Sequence, residues 1–350
     1  LSVPTTHPPC LFGQPILPWR PSRWFDAANS IEPFAYEPLK RTRGFMSEGF
    51  QTPVLFVAYH RTDLAPVLMD RIREVRPTKL FIAMDGPKSD VPGDDVAVAE
   101  VRRIIEEKID WPCEVQRRYG DQNQGCKVNV AGAIDWFFEH VEAGIIIEDD
   151  TLADVSFFPF AEELLKRYAD DSEVMHIGGT HYLEPHLRPE SYYFSKYNTI
   201  WGWATWRRAW QHYDMWISDW PEIVKSGVLA EHFPDPTERE LWEGRWGRIY
   251  EGKGQDDWDY QWFLICLLRG KAIIPTANLV TNLGFRADAT HTADPGHEFA
   301  ALACDELTWP LTHPATKDRD GDLDERIFEQ LVARAPFVQE MRRLHQAAGR

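Results

Sequence analysis

Cysteine is scarce: the 350 residues hold five, Cys10, Cys113, Cys126, Cys266 and Cys304. An odd, scattered set makes neither a disulfide framework nor a zinc-type cluster and fits reduced thiols. Long apolar runs are missing too. The longest candidate, residues 262–268, ends at Arg269 after seven residues, far short of a membrane span. The charged, apolar and small-residue layout of a signal peptide is absent, so the expected location is the cytoplasm. Positive charge is in the minority, with 38 Lys and Arg against 55 Asp and Glu, a net −17. Such a chain repels phosphate backbones and anionic membrane surfaces, which argues against nucleic acid as a partner. Several nucleotide and hydrolase signatures are also missing: Gly-x-x-x-x-Gly-Lys-Ser/Thr, a Gly-x-Gly-x-x-Gly after the first strand, Gly-x-Ser-x-Gly and His-Glu-x-x-His. What the chain has in excess is tryptophan. It carries 15, ten of them from Trp201 to Trp262, where roughly four or five in all would be usual.

Three regions follow from the pattern. Residues 1–50 hold eight of the 25 prolines, all before Leu39, and read as an extended arm able to wrap a body or join copies into a homo-oligomer. From Pro53 onward, apolar strands alternate with amphipathic helices. Strands are expected at 54–58, 80–84, 113–117 and 145–147, and helices at 64–75, 94–108 and 127–142. Continuous apolar strands between helices predict an α/β fold, a mostly parallel sheet covered by helices on both faces. After residue 150 the pattern loosens. A helix over 157–168 and a strand over 173–177 precede residues 201–262, which read as mostly helical, with Trp203, Trp206 and Trp210 at helical intervals. Strands at 271–275 and 278–283 close a body of residues 51–296, divided into halves 51–150 and 151–296. Residues 297–350 end in helices with a charged segment 317–326 between, of which residues 317–322 read as a solvated turn.

In an open parallel sheet, ligands sit beyond the carboxyl ends of the strands. The first strand delivers Arg61 there, the second Asp85, and the fourth Glu148, Asp149 and Asp150. One cation among carboxylates suits a ligand that carries phosphates and a hard divalent metal. The plain alternative for the triplet is a solvated strand end. Asp256, Asp257 and Asp259 open a later helix, where acids are favoured by the exposed N–H groups; one of them could equally serve as a general base. His291 reads as a structural histidine or a third metal ligand. Lys127, at a helix start, reads as a surface lysine or a phosphate contact.

Ile147-Glu148-Asp149-Asp150, Trp201-Gly202-Trp203-Ala204-Thr205-Trp206, and Trp258-Asp259 ahead of Arg269-Gly270 carry a family resemblance. Over about residues 53–292 the chain resembles metal-dependent glycosyltransferases of the GT-A fold. More narrowly it resembles N-acetylglucosaminyltransferase I, its protein O-mannose-directed relatives and bacterial hemolysin-like HlpA proteins. The resemblance implies an inverting transferase that uses a UDP-sugar, with Mn²⁺ or Mg²⁺, and a hydroxyl of a glycan or glycoconjugate as acceptor. It implies that Arg61 and Asp85 contact the nucleotide, that Lys127 contributes there, and that Glu148 and Asp149 support ribose and diphosphate. Asp150 would bind the metal, with His291 as a further ligand on a closing loop at 289–292. The base would be Asp259 by counting from Arg269-Gly270, or Asp257 by matching the paired acids. Trp201, Gly202 and Trp203 would line the sugar and acceptor cleft. Two other readings stand beside it. A nucleotidyltransferase of the same fold would carry a Gly-rich basic loop where Tyr59-His60-Arg61-Thr62 stands. A non-catalytic carbohydrate-binding module would account for the tryptophans but not for the strand-end carboxylates.

Overall fold

The computed structural model describes residues 49–286, 297, 299, 300 and 302–347. By contacts the chain divides into residues 1–38 and 39–350, and all that follows concerns the second unit. Its first half keeps strict strand–helix alternation: β1 Val54–Ala58, α1 Ala65–Val75, β2 Lys79–Met84, α2 Asp94–Lys108, β3 Glu114–Tyr119, α3 Cys126–His140 and β4 Ala143–Glu148. The second half runs β5 Thr151–Ala153, α4 Phe157–Arg167, β6 Val174–Gly178, β7 Tyr192–Ser195, β8 Trp203–Trp206, α5 Arg207–Trp210, α6 Trp220–Ser226, α7 Leu229–His232, α8 Pro236–Tyr250, α9 Asp259–Arg269, β9 Lys271–Pro275 and β10 Val280–Asn282. Helices α10 Gly321–Phe328 and α11 Pro336–Ala347 follow, with a π-helical turn at Glu329–Ala333 between them.

Among the described residues, eight strands form one sheet in the order β3-β2-β1-β4-β8-β6-β9-β7. Strands β7 and β8 run against the rest, so the sheet is mostly parallel, as expected. Alternate residues of β1 serve opposite faces. Val54, Phe56 and Ala58 pack with α1, α2 and α4, while Leu55 and Val57 pack with α3, α5 and α9. Coverage on both faces is the reason the strand is apolar at every position. A third core joins α6, α8, α9, α10 and α11 through Trp220, Trp242, Trp246, Phe263, Leu323 and Val338.

Two expectations are corrected here. Residues 201–262 are not uniformly helical, because Trp203–Trp206 is a strand inserted between β4 and β6. Residues three apart share a helix face but stand on opposite faces of a strand. Accordingly Trp203 enters the α3/α9 core and Trp206 the α4 core. Residues 317–322 are not a solvated turn. The Arg319 guanidinium donates to the carbonyls of Leu267 and Gly270. Asp320 pairs with Arg188 at 2.7 Å and accepts from Leu323 N at the start of α10. The buried Asp324 carboxylate accepts from Ser195 Oγ and Lys196 N, which fastens α10 to β7. No helix among the described residues is long and apolar enough to cross a membrane.

Candidate active site

The strand order reverses direction at β1: the chain builds outward through β2 to β3 and returns to β4 on the other side. Such a switch point leaves a crevice beyond the carboxyl ends of β1 and β4. A pocket of about 420 Å³ lies there, within the range of small-ligand sites. Strand β1 supplies Tyr59, His60 and Arg61 to its lining, β2 supplies Asp85, and β4 supplies Glu148, Asp149 and Asp150. Five of the residues singled out in the sequence thus converge. Tyr59 and His60 are braced from behind, both bonded to the carboxylate of Asp94 at the first residue of α2.

Charge is the dominant feature of this edge. The Tyr59 N–H donates to Asp149 Oδ2 at 2.8 Å. Arg61 lies against both following acids, Nη1 at 3.0 Å from Asp150 and Nε at 3.4 Å from Asp149. Burial works against the Arg61 charge, but Asp150, Asp149 and Glu148 outweigh it and raise its pKa. Burial pushes Asp149 up to about 6, against the pull of Arg61. Glu148 is pushed well above the usual carboxylate range by burial and by repulsion from Asp150, Asp149 and Asp259. Asp256, three residues ahead of α9, lines the same pocket, so the start of α9 lies beside this edge.

The first turn of α3 is clamped by two aspartates. Asp85 accepts from Gly86 N, Gln124 N and Gly125 N at 2.9–3.1 Å. Asp256 accepts from Cys126 N at 2.7 Å and Lys127 N at 3.2 Å. Four consecutive amides, 124 to 127, which together would make a good anion seat, are therefore filled by the protein itself. Gly125 is required in this clamp. Its φ is +84°, and a Cβ there would stand 2.7 Å from Asp256 Oδ2. Lys127 is neither a plain surface lysine nor part of the pocket lining. It is mostly buried, and its ammonium lies 5.3 Å from the centre of the Trp216 ring.

The tryptophan expectations change most. Trp203 is fully buried and stacks on His176 and Trp258, at 5.1 and 5.6 Å between ring centres, so it cannot face a sugar. Trp201 is half-buried, edge-on to Tyr182 and Phe285. Gly202 has φ +61°, and its open side is filled by Val280, not by a ligand path. Asp257 is buried, and its carbonyl accepts from Gln261 Nε2 at 3.0 Å. Asp259 is half-buried at the first position of α9, and its charge raises the pKa of Tyr182, Tyr213 and Tyr260 beyond the effect of their burial. His291 and the segment 289–292 lie outside the described residues, as does the arm before residue 49.

Sequence reading missed Lys88, Asn123, Asn282, Gly284 and Arg286 as pocket residues. The last three arrive through the short antiparallel pair β5–β10, whose three-residue strands carry no periodic signal. Asp256 was legible as one of the acids ahead of α9, but nothing local showed which helix it would cap.

Among the described residues, no group of three His, Cys, Asp or Glu side chains is set to hold a metal unaided. The donor chemistry still fits a hard divalent cation. Glu148, Asp149 and Asp150 crowd one strand end and resist ionising together, and one or two carboxylates plus ligand phosphates make up a common magnesium or manganese shell.

No protein-family model matches the chain, and no curated protein does. Among solved structures, HddC from Yersinia pseudotuberculosis is similar over 45% of this chain and 78% of its own, at 11% identity and a TM-score of 0.30. The 4-diphosphocytidyl-2C-methyl-D-erythritol synthase of Anaerococcus prevotii is similar over 64% and 87%, at 8% identity and a TM-score of 0.32. A UDP-glucose pyrophosphorylase complexed with UDP-glucose is similar over 64% and 90%, at 13% identity and a TM-score of 0.31. Likenesses this slight carry no argument about residues or reaction.

Proposed function

We propose that the chain is a transferase acting on a nucleotide sugar, and that it moves the sugar from UDP to an acceptor hydroxyl with inversion. The observation that supports this is the convergence of Arg61 and the three β4-end carboxylates in one crevice, with the acidic start of α9 beside it. Arg61, Lys88 and Arg286 would face the diphosphate, and Asp150 together with ligand oxygens would hold Mn²⁺ or Mg²⁺. A divalent cation bound there would supply charge neutralisation for the leaving diphosphate. Asp85, its oxygens already occupied by amides, serves the base by shaping the 123–125 loop, in place of direct contact. Asp259 takes the acceptor proton, with Asp257 as the alternative base.

Nucleotidyl transfer is the second reading. Three basic side chains in one pocket also suit a triphosphate. Against it, the turn after β1 is Tyr-His-Arg-Thr with no glycine, and both leading side chains are tied to Asp94.

One assay separates the two. Purified protein with Mn²⁺ and UDP-sugars is expected to release UDP, and Asp150→Ala to lose that release about 10³-fold. Formation of UTP from UDP-sugar and pyrophosphate, with no UDP released, would establish the second reading instead.

A further inference from the structure

Among the described tryptophans, Trp216 is the one that lies mostly in solvent, 58% exposed. A single exposed aromatic needs no explanation by itself. This one is held in place by four separate devices. Asp214 accepts from Trp216 N at 2.9 Å and from Ser218 N at 2.6 Å, closing the loop on itself. Ile217, next in sequence, is turned into the left-handed region at φ +51° while its side chain is buried. A β-branched residue resists that conformation, and the surrounding structure must enforce it. The Lys127 ammonium, on a mostly buried side chain, lies 5.3 Å from the centre of the Trp216 ring. Finally, the fully buried Gln261 donates from one nitrogen both to Met215 O and to Asp257 O, so the loop is tied to the segment that carries the candidate bases.

We infer that Trp216 is the stacking platform for a pyranose ring of the acceptor glycan. The inference rests on the glycosyl-transfer reading above. A pyranose presents a face of C–H groups with slight positive charge, which complements the electron-rich face of an indole. A loop already fixed before binding loses little freedom when the sugar arrives. The location favours acceptor over donor. The donor crevice opens beyond β1, β2 and β4, whereas the 214–218 loop is fastened to the start of α9, where the acceptor hydroxyl must meet its base.

The test is calorimetric binding of glucose-, mannose- and N-acetylglucosamine-based trisaccharides to the full chain with UDP and Mn²⁺ present. At least one trisaccharide is expected to bind, with affinity at least tenfold weaker in Trp216→Ala and less than threefold weaker in Trp216→Phe. UDP affinity is expected to be equal in all three proteins. Binding of no trisaccharide, or equal binding by wild type and Trp216→Ala, overturns the inference. So does a loss confined to UDP, which would mean that the indole stacks on the donor's base. Failure of the reading it rests on is registered separately, as the absence of UDP release from UDP-sugars.

Discussion

The two halves of the body are built from different materials. Strands β1, β2 and β4 are mostly aliphatic and parallel, each buried on both faces. The 201–262 region is aromatic, and its strand β8 runs antiparallel through the middle of the sheet. In the first half the pocket-lining polar residues sit where strands end, so the core and the pocket are separate populations of residues. In the second, one residue type stands in both settings: Trp203, Trp246 and Trp262 are sealed in the core while Trp216 stands in water. The lesson is that position relative to a strand end identifies a pocket carboxylate, whereas residue type alone does not tell a core tryptophan from an exposed one.

Substitution of Trp203 probes that contrast most severely. Trp203→Ala removes a fully buried indole stacked on two neighbours and is expected to cost about 3–5 kcal/mol. Urea unfolding measures it, and a loss below about 1 kcal/mol would show that Trp203 is not core. Asp259→Asn is expected to slow sugar transfer by about 10²–10⁴-fold with UDP affinity unchanged and stability little altered. If Asp257→Asn gives that result and Asp259→Asn does not, the base is Asp257.

The contrast also explains what the sequence made legible. Residues 54–58, 94–108 and 271–275 are bounded in the structure as their patterns predict, because an unbroken apolar run or one helical period spans each element and a polar or Gly/Pro segment ends it. Arg61, Asp85 and Glu148–Asp150 were found for a related reason, each lying within three residues of the end of a buried strand. Strand β8 was not found, since four residues are too few to show a period and Trp203, Trp206 and Trp210 mimic a helical one. The tie between Asp256 and α3 spans about 130 residues of chain, and no local pattern encodes so distant a partner.

His176 extends the comparison to pH. It is fully buried among the indoles, donating from Nε2 to Thr199 O and accepting at Nδ1 from Trp262. Burial pushes its pKa down to about 3. The unfolded chain, with an ordinary pKa near 6.5, takes up a proton that the folded chain refuses. Stability is therefore intact above about pH 6.5 and falls as pH drops toward 3, by about 2 kcal/mol at pH 5. His176→Gln keeps one donor and one acceptor without the proton uptake. Urea unfolding at pH 7.5 and pH 5 is expected to show that share of the acid sensitivity removed in the variant. An unchanged difference between the two pH values would mean that His176 titrates normally.

The smallest effect tests the join between the halves. Asp256 belongs to the aromatic half by sequence but caps a helix of the aliphatic one. It is exposed, so its loss leaves no cavity and water can reach the freed amides of Cys126 and Lys127. Asp256→Ala should then cost about 1 kcal/mol, the usual value of a helix cap. Asp85→Ala should cost more, because Asp85 is buried at the end of β2 and water reaches its three amide partners less readily. UDP affinity discriminates further. If the 124–127 amides serve only to join the halves, Asp256→Ala binds UDP as wild type does. If affinity rises instead, the carboxylate has been occupying a phosphate seat, and the diphosphate belongs at the start of α3 and not beside Arg61.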